Sequence, residues 1–178
     1  EINGKLYNVA AAYSDGHLLG LVPKAYIPNY SEFYEARHFT AAPVGCTSVT
    51  WQDGTTVPFG TDLLFTCKTM PGLKVAAEIC EDLWTPNPPS VCHAMHGATV
   101  IVNLSASDEV TGKDSYRRDL VKIQSGRLVC GYIYASAGEG ESSTDLVFGG
   151  HHLIAENGSV LAESERFTNE TIYGDLDI

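Results

Sequence analysis

No run of this 178-residue sequence stays apolar for anything near the length that a bilayer requires, and its first residues carry neither a basic region nor a cleavage-like site. No membrane partner is expected, and the chain reads as soluble and cytoplasmic. Basic charge is scarce as well: 11 Lys and Arg face 22 Asp and Glu, a formal net charge of −11. Such a surface does not neutralise phosphates, so nucleic acid is excluded as an expected partner. There is no C-x-x-C pair. The five cysteines (Cys46, Cys67, Cys80, Cys92 and Cys130) are odd in number and widely spread, which argues against a disulfide framework or a zinc ribbon and fits a reducing compartment. Cys92, His93 and His96 can share one side of a helix, and His151-His152 adds two imidazoles, but no thiol or carboxylate recurs at ligand spacing, so no metal site is expected. Repeats, low-complexity tracts and linkers are absent too.

What is present suffices for one domain: 178 residues, 44% hydrophobic, can bury a substantial core. Residues 7–13 and 18–22 are apolar, β-prone runs on either side of Ser14-Asp15-Gly16, a hairpin signature closed by Pro23-Lys24. The stretch to about residue 39 holds Pro28, Asn29 and several aromatics without periodicity and reads as a long ordered loop, a kind of segment that often carries function. Residues 47–66 supply two or three short strands around Asp53-Gly54 and Pro58-Phe59-Gly60.

From Lys74 onward strand and helix alternate. Strands are expected over 74–80, 98–104 and 130–136. One helix starts at Asn87-Pro88-Pro89-Ser90 and stops at Gly97, and a second runs from near Asp114 through Leu120, Ile123 and Leu128. Two successive βαβ units imply parallel strands with right-handed crossovers, which brings Cys80, Ser105 and Ser136 to one rim. Asn157-Gly158 predicts a tight turn between strands at 146–155 and 160–163.

Cys80 ends the apolar run 74–80 and is followed by two acids and a turn. The carboxyl edge of a parallel sheet is where open α/β folds collect their ligands, so a nucleophile belongs there, whereas a cysteine serving as core filler has no need of that edge. An ordinary thiol is mostly protonated at neutral pH and needs a base or a cation beside it. Lys24 stands at an abrupt strand end just as Cys80 does; a solvated lysine at a hairpin end is the alternative reading. Arg117 and Arg118 can bind a carboxylate, but on a helix beside Asp114 and Asp119 they read as solvated or locally paired.

The segments Glu78-Ile79-Cys80-Glu81-Asp82-Leu83-Trp84 and PKAYIPNYSEFYEARHF, from Pro23 to Phe39, resemble the glutaminase domain of glutamine-dependent NAD+ synthetases, a branch of the nitrilase superfamily. The resemblance implies an α/β fold, a four-layer α-β-β-α sandwich, incomplete here at its amino-terminal edge. It implies that Cys80 attacks the side-chain amide of glutamine and that Lys24 stabilises the oxyanion together with the backbone N–H of Glu81. A second glutamate orients these groups; Glu35 is the choice, with Glu32 its competitor. Tyr30 and Trp84 would wall the substrate pocket, with aromatic packing as the alternative for each. Ser105, in Asn103-Leu104-Ser105-Ala106-Ser107, would help hold the α-amino or α-carboxyl group, with a turn serine as the alternative.

By the same resemblance, residues 1–178 form a single, truncated carbon–nitrogen hydrolase domain. The superfamily's general-base glutamate lies upstream of the hairpin and is not in this sequence, so the isolated chain is expected to be nearly inactive. The expected partners are glutamine, a synthetase domain that receives the ammonia, and further copies in a homo-oligomer. No cofactor is implied for this domain; ATP and Mg would belong to the synthetase domain. The rival readings are a free-standing amidase acting on another carboxamide and a non-catalytic binding or assembly module.

Overall fold

The computed structural model describes residues 1–141 and 145–178. Two sheets lie face to face. The smaller is built from β1 (Val9–Ser14), β2 (His17–Pro23), β3 (Thr47–Thr50) and β4 (Thr56–Phe59) in the order β1-β2-β4-β3. The larger comprises β5 (Phe65–Thr66), β6 (Lys74–Ile79), β7 (Val100–Ser105), β8 (Gly131–Ser136), β9 (Leu153–Glu156) and β10 (Ser159–Glu163), in the order β10-β9-β8-β7-β6-β5. The expected amino-terminal hairpin forms as β1 and β2, turning at Asp15 (φ 50°) and Gly16 (φ 78°); the second turn places Asn157 (φ 45°) and Gly158 (φ 82°) in the same left-handed region. Two consecutive residues at positive φ match the right-handed twist of the strands they join. Pro58-Phe59 lies inside β4 rather than at a turn.

Strands β6, β7 and β8 pair in parallel, and their crossovers are α1 (Pro89–Met95) and α2 (Lys113–Leu128). Their buried runs are nearly continuous, as expected of strands covered on both faces: Ala76, Ala77, Glu78 and Ile79 are all buried. On one face Ala77 and Ile79 pack with Ala10 and Val22 of the smaller sheet. On the other, Ala76, Ile101, Tyr132 and Tyr134 form a core with Val121 of α2. The described residues thus supply one helical layer and two sheets of the expected sandwich, and the outer face of the smaller sheet carries Leu21, Val57 and Phe59 packed with Tyr7 and Trp51.

Of the apolar positions read in α2, Leu120 and Leu128 pack against the core and Ile123 does not. Ile123 is exposed, and the buried residues of the helix are Arg117, Val121, Gln124 and Ser125. Arg117 is fully buried rather than solvated: it pairs with Glu109 at 2.6 Å, lies 2.9 Å from His151 Nδ1 and donates to the Asp108 carbonyl. Arg118 pairs with Glu163. A buried guanidinium is tolerated only when such partners take up its donors.

Candidate active site

Strand β6 stops at Ile79, and Cys80 opens a short 3-10 turn through Trp84 with φ 45°. A left-handed conformation costs a residue with a Cβ about 1–2 kcal/mol, so the surroundings must hold it. They do so through backbone donors: Cys80 N–H donates to Asn103 Oδ1 (3.1 Å) and Ile79 N–H to Asp82 Oδ2 (2.8 Å). The sharp turn presents the half-buried thiol at the carboxyl edge of the sheet rather than within it.

The same edge receives Lys24. Hairpin register sets Val9 opposite Pro23, so the next residues along, Asn8 and Lys24, also face each other, and Lys24 N–H donates to the Asn8 carbonyl (2.9 Å). The Lys24 side chain is buried and ion-pairs with Glu35, whose second oxygen accepts from Asn8 Nδ2 at 2.8 Å. Burying an ammonium without a partner is prohibitive, and the 3-10 turn Glu35–Arg37 in the long loop supplies that partner. Lys24, Glu35, Cys80, Glu81 and Ser105 line one cleft of about 470 Å³, together with Asn8 and Phe33.

Asp82 joins the two halves of this arrangement. Its carboxylate is buried, accepts from Ala25 N–H (3.1 Å) and Tyr26 N–H (2.8 Å) through one oxygen, and accepts from Ile79 N–H through the other. One side chain therefore ties the segment after Lys24 to the turn that carries Cys80. Burial pushes the Asp82 carboxyl up to about 7, against the opposing pull of the Ile79 and Tyr26 N–H groups.

Tyr30 donates its hydroxyl to the Glu81 carboxylate (2.9 and 3.0 Å) and packs edge-on against Phe33; partial burial and the Glu81 hydrogen bond push its phenol up to about 12. Glu32 stands apart from the Lys24 pair, among the charges acting on Tyr30. Ser105 Oγ donates to Asn103 Oδ1 at 2.7 Å. Trp84 is not part of the cleft lining: its ring stacks on Tyr116 at 5.5 Å, carries the Lys113 ammonium over it and rests against the helical core, as in the packing alternative. Asn8, Asp82 and Asn103 were not singled out from the sequence, although the hairpin register alone puts Asn8 opposite Lys24. Among the described residues no three His, Cys, Asp or Glu side chains converge to hold a metal. His93 contacts the Thr61 carbonyl, and His151 the Glu163 carboxylate. No helix of the described residues is long and apolar enough to cross a membrane.

A thiol, a buried ammonium and a carboxylate around one cleft suit acyl transfer through a covalent intermediate. The chain is 47% identical, over 163 residues, to a glutamine-dependent NAD(+) synthetase of Mycobacterium tuberculosis, an alignment covering 92% of this chain and 24% of that protein. It superposes on the crystal structure of a glutamine-dependent NAD(+) synthetase from Cytophaga hutchinsonii with a TM-score of 0.81 and 32% identity, over 93% of this chain and 26% of the other. The fold is shared with Saccharomyces cerevisiae Nit3 of the nitrilase superfamily, at a TM-score of 0.65 and 19% identity over 92% of this chain and 51% of that one. The chain spans about a quarter of the length of the synthetases it matches. The carbon–nitrogen hydrolase family profile matches residues 1–178, and the chain belongs to that family.

Proposed function

We propose that this chain is the glutamine-hydrolysing part of a glutamine-dependent NAD+ synthetase. The observation that carries the reading is the convergence of Cys80 with the Lys24–Glu35 pair on one cleft, in a chain whose relatives bear that name. The Cys80 thiolate attacks the side-chain carbonyl carbon of glutamine, and the Lys24 ammonium with the Glu81 N–H stabilises the oxyanion. Collapse of the tetrahedral intermediate breaks the C–N bond, ammonia leaves with an added proton, and water then hydrolyses the thioester to glutamate. Glu35 holds Lys24 in place. Glu81 and Ser105 face the same cleft as the thiol and are assigned to the amino and carboxyl groups of the substrate, with Tyr30 steadying Glu81. The proton acceptor is assigned to a glutamate upstream of residue 1.

The ammonia passes to a synthetase domain, to which ATP and Mg belong; this domain itself is assigned no cofactor. A single carbon–nitrogen hydrolase domain over 1–178, a homo-oligomer and a cytoplasmic location complete the proposal. Five free cysteines among the described residues suit that compartment. The test is labelling with a glutamine analogue that carries an electrophilic side chain. Modification at Cys80 in preference to Cys46, Cys67, Cys92 and Cys130, abolished by excess glutamine, supports the assignment; modification spread over several cysteines, or absent from Cys80, overturns it.

A further inference from the structure

Behind the cleft, a directional chain of hydrogen bonds runs under the helical layer. Glu78, Asn103 and Tyr134 occupy equivalent register positions on β6, β7 and β8, with Tyr132 two residues earlier on β8. Glu78, Asn103 and Tyr132 are almost completely buried. Glu78 accepts the Tyr132 hydroxyl on one oxygen and Ser90 N–H on the other (2.9 Å), and Ser90 Oγ accepts from Gln124 (3.0 Å). Tyr132 has spent its single proton on Glu78, so toward Asn103 it can only accept, and Asn103 Nδ2 donates to it at 3.2 Å. That fixes the amide: Oδ1 must face the other way, where it receives the Cys80 N–H and the Ser105 hydroxyl. Glu78, Asn103 and Tyr132 do not line the cleft.

We propose that Asn103 is a positioning residue, oriented by Tyr132 and Glu78, that holds Cys80 in its left-handed conformation and thereby keeps the thiol against the Lys24 side of the cleft. The proposal rests on the reading of Cys80 as the nucleophile. Released from Asn103, Cys80 can relax toward an extended φ, as a residue with a Cβ prefers. Its sulfur then swings away from the rim that it shares with Lys24.

The experiment is the pH profile of Cys80 alkylation by iodoacetamide, followed by peptide mass spectrometry, in the wild-type chain, Asn103→Leu and Tyr132→Phe. In Asn103→Leu the midpoint is expected to rise by about one pH unit, which makes alkylation below the midpoint roughly tenfold slower. Tyr132→Phe nearly preserves volume and removes both the acceptor that orients the amide and the hydroxyl donor to Glu78; it shifts the midpoint in the same direction by less. Exposed Cys46 serves as the internal control and should not change. Profiles at Cys80 identical to wild type in folded Asn103→Leu and Tyr132→Phe overturn the proposal, and where Asn103→Leu does not fold, Tyr132→Phe decides alone. Alkylation requires no glutamine. Shifts seen in a chain that ignores glutamine sink the glutamine reading only, and unshifted profiles in an active enzyme sink the positioning role only.

Discussion

Replacing Asp82 by Asn should change how the stability of this protein depends on pH. In the unfolded chain the carboxyl titrates near 3.8, and in the folded protein burial pushes it up to about 7. The folded form therefore takes up a proton more readily, and ionisation erodes stability as pH climbs from about 4 to about 7, after which the loss is constant. One pH unit of that interval is worth about 1.4 kcal/mol, so between pH 5 and pH 8 wild type should lose roughly 2–3 kcal/mol through Asp82 alone. The Asn variant cannot ionise. It keeps an acceptor for Ala25 and Tyr26 N–H but turns an NH2 group toward Ile79 N–H, a mismatch that costs about 1–3 kcal/mol whatever the pH. Asp82→Asn should thus be clearly less stable than wild type at pH 5 and close to it at pH 8. Guanidinium unfolding at each pH, read by the fluorescence of Trp51 and Trp84, measures the difference, and because the Glu78 charge is one of the causes that raise Asp82, the comparison is repeated in a Glu78→Gln background. A deficit that stays constant from pH 5 to pH 8 would refute the reasoning: the three N–H donors would then hold the carboxylate ionised throughout.

Val129 caps α2 at φ 52° with an exposed side chain; Val129→Gly should remove the left-handed penalty and stabilise the fold by about 1 kcal/mol, seen as a higher denaturation midpoint at unchanged slope. Arg117→Met leaves buried Glu109 with the longer Arg166 contact (3.6 Å) in place of its 2.6 Å partner and should cost about 3 kcal/mol, the low end of the range for a broken buried pair, whereas adding Glu109→Gln should recover part of it; equal stability of the single and double variants would show that the lost charge pairing is not the source of the cost. The 178-residue chain should release ammonia from glutamine at least about 10²-fold more slowly than a protein extended upstream through the glutamate to which the proton transfer is assigned. Comparable rates in that assay would make a residue within the chain the base, Glu35 first.

The architecture was legible wherever the chain signals through period and turn chemistry. The hairpin signs at Asp15-Gly16 and Asn157-Gly158 and the β6-to-β8 alternation need only local information, and all three match the structure. The inward face of α2 was legible at Leu120 and Leu128, which pack on the core, but not in its polar part, for a physical reason. Reading a helix by its apolar residues assumes that the buried face is apolar, and here Arg117, Gln124 and Ser125 take part of it because Glu109, Ser90 and the turn at Gly158 offer them partners. Those partners lie 8 to 34 residues away in sequence, so no window along the helix contains the cause. Pro58 within β4 likewise looks like a break, yet β4 pairs with β2 only at Leu21–Phe59, where Gly60 N–H serves the Leu21 carbonyl, so the N–H that Pro58 lacks falls before that pairing begins.

The candidate site divides along the same line. Cys80 and Lys24 were legible because each terminates a strand, and strand ends are visible in a sequence. The choice of Glu35 over Glu32 was not, because a loop without period gives no register; the structure supports Glu35 by giving Lys24 a carboxylate it could not be buried without. Asp82 was hidden for the opposite reason. It sits two residues after the nucleophile and reads as one more acid in an acidic chain, while its work is done on Ala25 and Tyr26, more than 50 residues earlier. A carboxylate that serves backbone N–H groups leaves no complementary charge for a sequence reader to find. What betrays it is the accounting of donors: two consecutive N–H groups just after a buried lysine need an acceptor, and the nearest chain that can bring one is the turn carrying Cys80. The stretch Glu78-Ile79-Cys80-Glu81-Asp82 offers acids that can meet that demand, and the direction in which the turn aims them selects Asp82 over Glu81.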